Sequence, residues 1–220
     1  MPYSMAYGDH FYCRTDGRLE CGHVFLAGNG LPERWSRPGR FAIGELGFGT
    51  GLNFAETWRQ WKQTAPEGAH LHFTSFEMHP MRRAEIDRAL SRWPEVAAER
   101  QALVDAWPEE PAGRIELPFG DDVHLTVVCG DAMAGLAHET VSFDAWYLDG
   151  FAPSRNPAMW SADLMAAVYD HTQAGGTFAT YAAAGFVRRN LAAAGFAVER
   201  RQGFAGKREM LCGRKRGDGV

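Results

Sequence analysis

The chain has 220 residues, of which 45% are hydrophobic and 23% are charged, and its formal net charge is −4. This size and mixture are typical of a globular protein that buries its own core without disulfides or metals. The sequence contains no apolar run long enough to span a bilayer, and residues 1–13 lack the basic and apolar regions of a secretory signal. We therefore expect a cytoplasmic protein that is not bound to a membrane.

Apolar periodicity predicts strands that alternate with helices. In chain order, the predicted strands are residues 41–46, 71–77, 123–131, 143–150 and 176–181, and the predicted helices are residues 52–63, 81–92, 157–171 and 186–194. Such alternation is typical of an α/β fold in which helices cover both faces of a parallel sheet.

Two segments depart from this alternation. Residues 114–127 carry a Gly-Asp-Asp turn between apolar runs, which predicts a hairpin leading into the third strand. Residues 196–204 and 207–213 are predicted to close the chain as an antiparallel strand pair at the sheet edge.

We divide the chain into three parts. Residues 1–40 precede the first predicted strand and are expected to form an N-terminal extension packed on the core. Residues 41–213 form the domain itself, and residues 214–220 form a polar tail.

The charge is unevenly distributed. From Phe186 to the C-terminus there are nine Lys or Arg and three Asp or Glu, a net charge of +6, which leaves −10 for the rest of the chain. A basic end on an acidic body suits a polyanion, but it is equally typical of a solvated charged surface. The four cysteines include no Cys-x-x-Cys pair, and His70 and His72 would share a strand face without a third ligand. We therefore expect no metal.

A glycine-rich segment, GELGFGTGLNF, occupies residues 44–54 at the end of the first predicted strand. Gly47, Gly49 and Gly51 permit a tight turn and a close approach of the backbone to a ligand. The helix that follows presents free N–H groups to an anion. A nicotinamide site would favour GxGxxG, whereas the spacing here is GxGxG. Taken alone, the glycines are also compatible with a structural turn.

Acidic residues follow the next strands at the edge where open α/β sheets bind ligands. Glu77 is placed to accept hydrogen bonds from ribose hydroxyls, and Asp131 from an adenine amino group. Glu45 suits a nearby ammonium or sulfonium, so S-adenosylmethionine fits this set. The predicted cofactor-binding residues are Glu45, Gly47, Phe48, Gly49, Gly51, Asn53, Glu77 and Asp131.

A second unusual segment, LDGFAPSRNPAMW, covers residues 148–160. Asp149 leaves the fourth strand at the same edge, and Phe151 and Trp160 offer flat apolar surfaces. Such a loop can hold an aromatic base and place its substituent beside a carboxylate. A rigid connection with core aromatics is the alternative, and it suits Trp160 better than Asp149.

Several motifs resemble those of a known family. ELGFGTGLNF, LDGFAPSRNPAMW, AGFVRRNL, GFAGKREMLCG and HVFLAGNGLPERW are similar to the methyltransferase domain of the bifunctional tRNA 5-methylaminomethyl-2-thiouridine biosynthesis proteins. The resemblance covers nearly the whole chain. It implies a class I, Rossmann-like methyltransferase fold and S-adenosylmethionine as cofactor. It also implies that the substrate is the aminomethyl group of the wobble uridine in the tRNA anticodon loop.

The resemblance also implies roles for individual residues. It places the glycine loop and Glu77 at the cofactor and Asp149, as the catalytic residue, near the transferred methyl. The predicted substrate-binding residues are Phe151, Pro153, Asn156, Arg188 and Arg208. The bifunctional proteins carry a further FAD-dependent oxidoreductase domain that these 220 residues do not contain, so we expect methylation alone, without FAD.

Three alternatives stay open. A methyltransferase acting on a small molecule or a protein would share the glycine loop without needing a basic face. A nucleotide-dependent oxidoreductase would use the same fold, although the glycine spacing argues against it. A non-catalytic tRNA-binding module would bind tRNA whether or not the cofactor is present.

Overall fold

The fold is that of a computed structural model of the chain. It describes residues 3–4, 8–10, 16–206 and 208–217. Parts of the sequence predictions lie outside the described residues, namely most of the first fifteen residues of the predicted extension, Lys207, and residues 218–220 of the predicted tail.

The described residues form ten strands and seven α-helices. The strands are β1 (Tyr3–Ser4), β2 (Asp9–His10), β3 (Gly39–Leu46), β4 (Ala69–Glu77), β5 (Arg114–Phe119), β6 (Val123–Cys129), β7 (Phe143–Leu148), β8 (Thr172–Thr180), β9 (Ala197–Gln202) and β10 (Glu209–Arg214). The helices are α1 (Gly17–Glu20), α2 (Leu52–Thr64), α3 (Arg83–Leu90), α4 (Ala97–Ala106), α5 (Ala132–Ala137), α6 (Ala162–Asp170) and α7 (Gly185–Ala194). Among these residues, we find no helix with the length and apolar character needed to cross a bilayer.

Eight strands form one sheet in the order β5-β6-β4-β3-β7-β8-β10-β9. The five central strands, from β6 to β8, are parallel, and the pairs β5/β6, β8/β10 and β9/β10 are antiparallel. The predicted α/β class and both predicted antiparallel pairs are therefore confirmed. The chain leaves β3 toward β4 and later returns to β7 on the other side, so the strand order reverses at β3. Ligands of open α/β sheets bind at such a reversal.

Two apolar cores cover the two faces of the sheet. Successive side chains of a strand point to opposite faces, so Phe41 and Ile43 of β3 enter one core and Ala42 and Leu46 enter the other. Helices α2 and α4 contribute to the first core, and helices α5, α6 and α7 contribute to the second.

The segment from residue 17 to residue 35 completes the first core. Cys21, Val24, Phe25, Leu26, Leu31 and Trp35 are all buried in it. The ring of Phe25 stacks on Tyr147 of β7 at a centroid distance of 5.2 Å. The buried Asn29 Nδ2 donates hydrogen bonds to the carbonyls of Phe25 at 2.9 Å and of Trp146 at 3.1 Å. This segment is thus tied to the middle of the sheet.

The helices differ from the predictions in two ways. The predicted helix 157–171 is split into a 3₁₀ turn, Pro157–Trp160, and α6. The split occurs because Ser161 has extended backbone and caps α6, its hydroxyl accepting from the N–H of Leu164 at 3.3 Å. Three helices, α1, α4 and α5, were not predicted from the sequence.

Candidate active site

The glycine loop after β3 has the backbone that only glycine adopts readily. Gly47, Gly49 and Gly51 have φ angles of +94°, +53° and +77°, in a region that disfavours other side chains. A Cβ atom on Gly47 would lie 2.5 Å from the backbone oxygen of Asp149. The loop after β3 therefore packs directly against the loop after β7, at the point where the strand order reverses.

A cavity of about 700 Å³ opens at the carboxyl ends of β3, β4, β6 and β7. Its volume is within the range of small-molecule sites. Nine predicted site residues line it, namely Gly47, Phe48, Gly49, Asn53, Glu77, Asp131, Asp149, Phe151 and Asn156. The structure therefore brings together the residues that the sequence predicted at separate strand ends. Their individual roles in binding stay predictions.

The other five predicted residues lie elsewhere. Glu45 is only 1% exposed and lies behind the cavity wall. Gly51 is the N-cap of α2 beneath the loop, where an added Cβ would meet the side chains of Leu103 and Phe48. Pro153 lies in the turn after β7. The substrate-side arginines are exposed: Arg188 lies on α7, and Arg208 borders a smaller pocket that shares one lining residue with the main cavity.

Glu77 and Asp131 are held by backbone N–H groups. The two carboxylate oxygens of Glu77 accept from Gly49 at 2.9 Å and from His79 at 2.8 Å. Each carboxylate oxygen has a second lone pair, so Glu77 keeps acceptor capacity for a ligand. Asp131 caps α5, with Oδ1 accepting from the N–H of Ala134 at 2.9 Å. Both acids are thus fixed in place at the cavity edge.

At the cavity wall, two carboxyl groups share one amide. Asn53 Nδ2 donates to Glu45 Oε1 at 2.9 Å and to Asp149 Oδ2 at 2.6 Å. The hydroxyl of Ser75 donates to Glu45 Oε2 at 2.6 Å. Burial raises the pKa of Glu45 to about 8, and the charge of Asp149 adds to this rise, although the hydrogen bonds from Ser75 and Asn53 oppose it. The protonation of Glu45 is therefore sensitive to pH near neutrality.

Part of the cavity wall was not predicted. The additional lining residues include Gly17, Glu20, Cys21, Phe25, Met78, Met133 and Tyr181. Met78 and Met133 are 45% and 43% exposed, which is unusual for large apolar side chains. Their positions just after Glu77 and Asp131 are a signal that could have identified them. The segment around Cys21 offers no such signal, because it reaches the cavity only through tertiary packing.

The chemistry available in the cavity is that of carboxylates rather than of a thiol. Burial, with added repulsion from Glu56 and Asp149, raises the pKa of Cys21 well above its ordinary value. The thiol therefore stays protonated at neutral pH and is a poor nucleophile. Across the part of the chain that the structure describes, no three His, Cys, Asp or Glu side chains are grouped so as to hold a metal.

Comparison with known proteins gives a family and close relatives. The sequence profile of a family described as S-adenosyl-L-methionine-dependent methyltransferase matches residues 94–216, more than half of the chain. The tRNA 5-methylaminomethyl-2-thiouridine biosynthesis bifunctional protein MnmC of Chromohalobacter salexigens is 46% identical over 215 residues, which are 96% of this chain and 31% of that protein. The protein of the same name from Azoarcus sp. is 46% identical over 99% of this chain and 34% of its own length. The chain thus spans about a third of these curated relatives.

A solved structure has the same fold. MNMC2 from Aquifex aeolicus superposes with a TM-score of 0.74 at 21% sequence identity, covering 96% of this chain and 65% of the other. At this identity, the similarity establishes the fold alone.

Proposed function

Because the chain belongs to the S-adenosyl-L-methionine-dependent methyltransferase family, we propose that it methylates the amine of 5-aminomethyluridine, or of its 2-thio form, at the wobble position of tRNA. The product is 5-methylaminomethyl-(2-thio)uridine. Relatives named for the biosynthesis of this nucleoside support the choice of substrate. In the structure, the observation that carries the proposal is the position of Asp149 on the cavity wall, with the aromatic Phe151 two residues further along the same loop. We place this activity in the cytoplasm.

The residues of the cavity fit S-adenosylmethionine, which supplies an activated methyl group on a positively charged sulfur. The absence of a side chain at Gly47 and Gly49 suits a ligand that lies against the backbone. Glu77 is oriented by two N–H groups and keeps acceptor capacity for a ribose diol. Exposed Met78 and Met133 offer apolar surface for the adenine ring, and flexible thioethers adapt well to aromatic rings.

Asp149 is proposed to prepare the amine for transfer. An alkyl amine is protonated at neutral pH and must lose that proton before its lone pair can react. Asp149 accepts a hydrogen bond from the amine and orients it, and either its carboxylate or a water molecule takes the departing proton. Much of the acceleration then comes from alignment in a site shielded from water.

The loop that bears Asp149 is fixed on both sides. The hydroxyl of Tyr181 donates to the carbonyl of Gly150 at 2.5 Å, and Trp160 Nε1 donates to the carbonyl of Phe151 at 3.0 Å. These contacts support a loop that keeps its shape while a base enters. We propose that Phe151 stacks on that base, since bases of single-stranded loops are commonly recognised on aromatic side chains.

Methyl transfer from labelled S-adenosylmethionine tests the proposal. The acceptors are tRNA from cells that accumulate 5-aminomethyl-uridines and matched tRNA that lacks this group. We expect label only in the first. Bound S-adenosylmethionine without labelling of either tRNA would contradict the substrate and favour a small-molecule or protein substrate or a non-catalytic module.

A further inference from the structure

We infer that Asn53 is a positioning residue that fixes the carboxylate of Asp149 for the transfer step. The inference rests on the function proposed above, because it assigns Asp149 the same role. It changes the role that the sequence pattern predicted for Asn53, which was cofactor binding.

The hydrogen bonds of Asn53 carry the inference. A side-chain amide nitrogen has two hydrogens, and Asn53 Nδ2 already has two acceptors, Glu45 Oε1 at 2.9 Å and Asp149 Oδ2 at 2.6 Å. Neither hydrogen is left for a cofactor. Because an ionised carboxylate can only accept, the nitrogen and not the oxygen of the amide must face Asp149.

The anchor of this arrangement lies in the centre of the sheet. Glu45 belongs to β3, is 1% exposed, and is held on its other oxygen by Ser75 of the neighbouring strand β4. Asn53 lies in the first turn of α2, directly after the glycine loop. Asp149, in contrast, stands on a loop after the end of β7, with its backbone N–H bonded to the carbonyl of Leu46 at 3.1 Å. Asn53 therefore links the side chain of Asp149 to the fixed carboxyl group of Glu45.

Other charged and titratable groups also lie around Glu45 and Asp149. Glu77 and Asp149 both add their negative charge to the surroundings of Glu45, and the Cys21 thiol is close enough to be influenced by Glu45 and Asp149. Without the amide donor between them, the carboxylate of Asp149 loses its link to the fixed carboxyl group of Glu45. Misplacement of a reacting group by about 1 Å costs on the order of 100-fold in rate.

The test combines single-turnover methylation with calorimetric binding of S-adenosylmethionine for Asn53→Ala, Asn53→Ser, Asp149→Asn and the double variant Asn53→Ala/Asp149→Asn. We expect Asn53→Ala to lower the rate by about 10- to 100-fold while the Kd for S-adenosylmethionine changes by less than about threefold. In the Asp149→Asn background, loss of Asn53 should change the rate by less than about twofold, because coupled residues are not additive.

Thr57→Val is the matched control. Thr57 is one turn further along α2, is fully buried, and shares a hydrogen bond of 3.2 Å with the hydroxyl of Tyr147. The Thr57→Val variant removes a buried polar group from the same helix without touching Asp149. Its single-turnover methylation rate should therefore equal that of the wild type. Thermal unfolding of each variant identifies loss of fold, and Asn53→Ser keeps a small polar group in case Asn53→Ala does not fold.

Two outcomes would overturn the inference. One is a loss of S-adenosylmethionine affinity as large as the loss of rate, which would make Asn53 a cofactor ligand. The other is an Asn53→Ala effect that persists in full in the Asp149→Asn background. A wild-type enzyme that labels no tRNA would overturn the proposed function itself, and the two failures are thereby distinguished.

Discussion

Glu45 places a titratable group in the centre of the sheet, where its pKa is raised to about 8 from 4.5. Between these two pH values the folded protein keeps a proton that the unfolded chain releases. Stability from this group is therefore complete at low pH and declines as pH rises toward 8. The decline is at most about 1.4 kcal/mol per pH unit for one proton.

Glu45→Gln should remove this dependence. The new amide can accept from Asn53 with its oxygen and donate to the hydroxyl of Ser75 with its nitrogen, so the cluster stays satisfied. We expect the free energy of unfolding of the variant, relative to the wild type, to rise steadily between pH 5 and pH 8 in urea titrations. Parallel curves for the two proteins would show that Glu45 does not titrate in this range.

Asp149→Asn tests the reacting residue itself. The change keeps the size and one acceptor oxygen of the side chain but removes its charge and basicity. We expect turnover on aminomethyl-uridine tRNA to fall by about 100-fold or more, with the Kd for S-adenosylmethionine nearly unchanged. Asp105→Asn is the control, since Asp105 is an exposed acid of α4 whose bond to Gln101 an amide oxygen can replace. Equal turnover of the two variants would rule out the role of Asp149.

At the scale of elements, the site depends on the contact between the loop after β3 and the loop after β7. Gly47→Ala places a methyl group 2.5 Å from the backbone oxygen of Asp149 at a φ of +94°. Gly113→Ala is a control for the backbone alone, because Gly113 has a φ of +65° and an added Cβ would contact nothing. In urea unfolding we expect a loss of about 1 kcal/mol at Gly113 and of about 3 kcal/mol or more at Gly47. Similar losses would mean that the loops separate freely.

Some of these elements could be predicted from the sequence, and others could not. The parallel strands were predicted because apolar runs end in glycine or acid, and the convergence of Glu77, Asp131 and Asp149 followed from the rule that parallel strands end at one edge. Helix α4 was missed because few of its residues face the core: of its ten residues, only Glu99 and Leu103 are buried. No local pattern marks such a helix.

The part of the cavity wall formed by residues 17–25 could not be predicted from local sequence patterns for another reason. Its place is set by partners distant in sequence, such as Tyr147, on which Phe25 stacks. The position of Asn53 between two carboxyl groups was equally hidden, because Glu45 and Asp149 are far apart in the chain and meet only when β3 and β7 pair.

At the scale of the whole molecule, the basic C-terminal region has two explanations. Strand β9 is the last strand of the sheet, and charged residues such as Arg200 and Arg201 on an edge strand discourage pairing with other chains. The exposed Arg188 on α7 and the exposed Arg208 beside the smaller pocket are the candidates for contacts with tRNA phosphates.

Charge reversal separates the two explanations. Arg188→Glu and Arg208→Glu should each weaken tRNA binding and reduce the slope of log Kd against log salt concentration by about one per lost phosphate contact. Arg40→Glu makes the same charge change at the start of β3, at the opposite edge of the sheet, and should have little effect. If all three variants have the same Kd for tRNA, the net charge of the protein rather than a defined contact surface governs binding.

The segment of residues 17–35 also has a consequence for how the protein is made on the ribosome. Asn29 accepts a hydrogen bond from the hydroxyl of Thr177, which follows it by 148 residues. At a translation rate of about 5–20 residues per second, this partner emerges on the order of ten seconds later. The apolar surface of Phe25 and Leu26 in this nascent segment therefore stays exposed while the strands of the sheet are synthesised. The segment is thus synthesised before the strands that it packs against and reaches its native neighbours late.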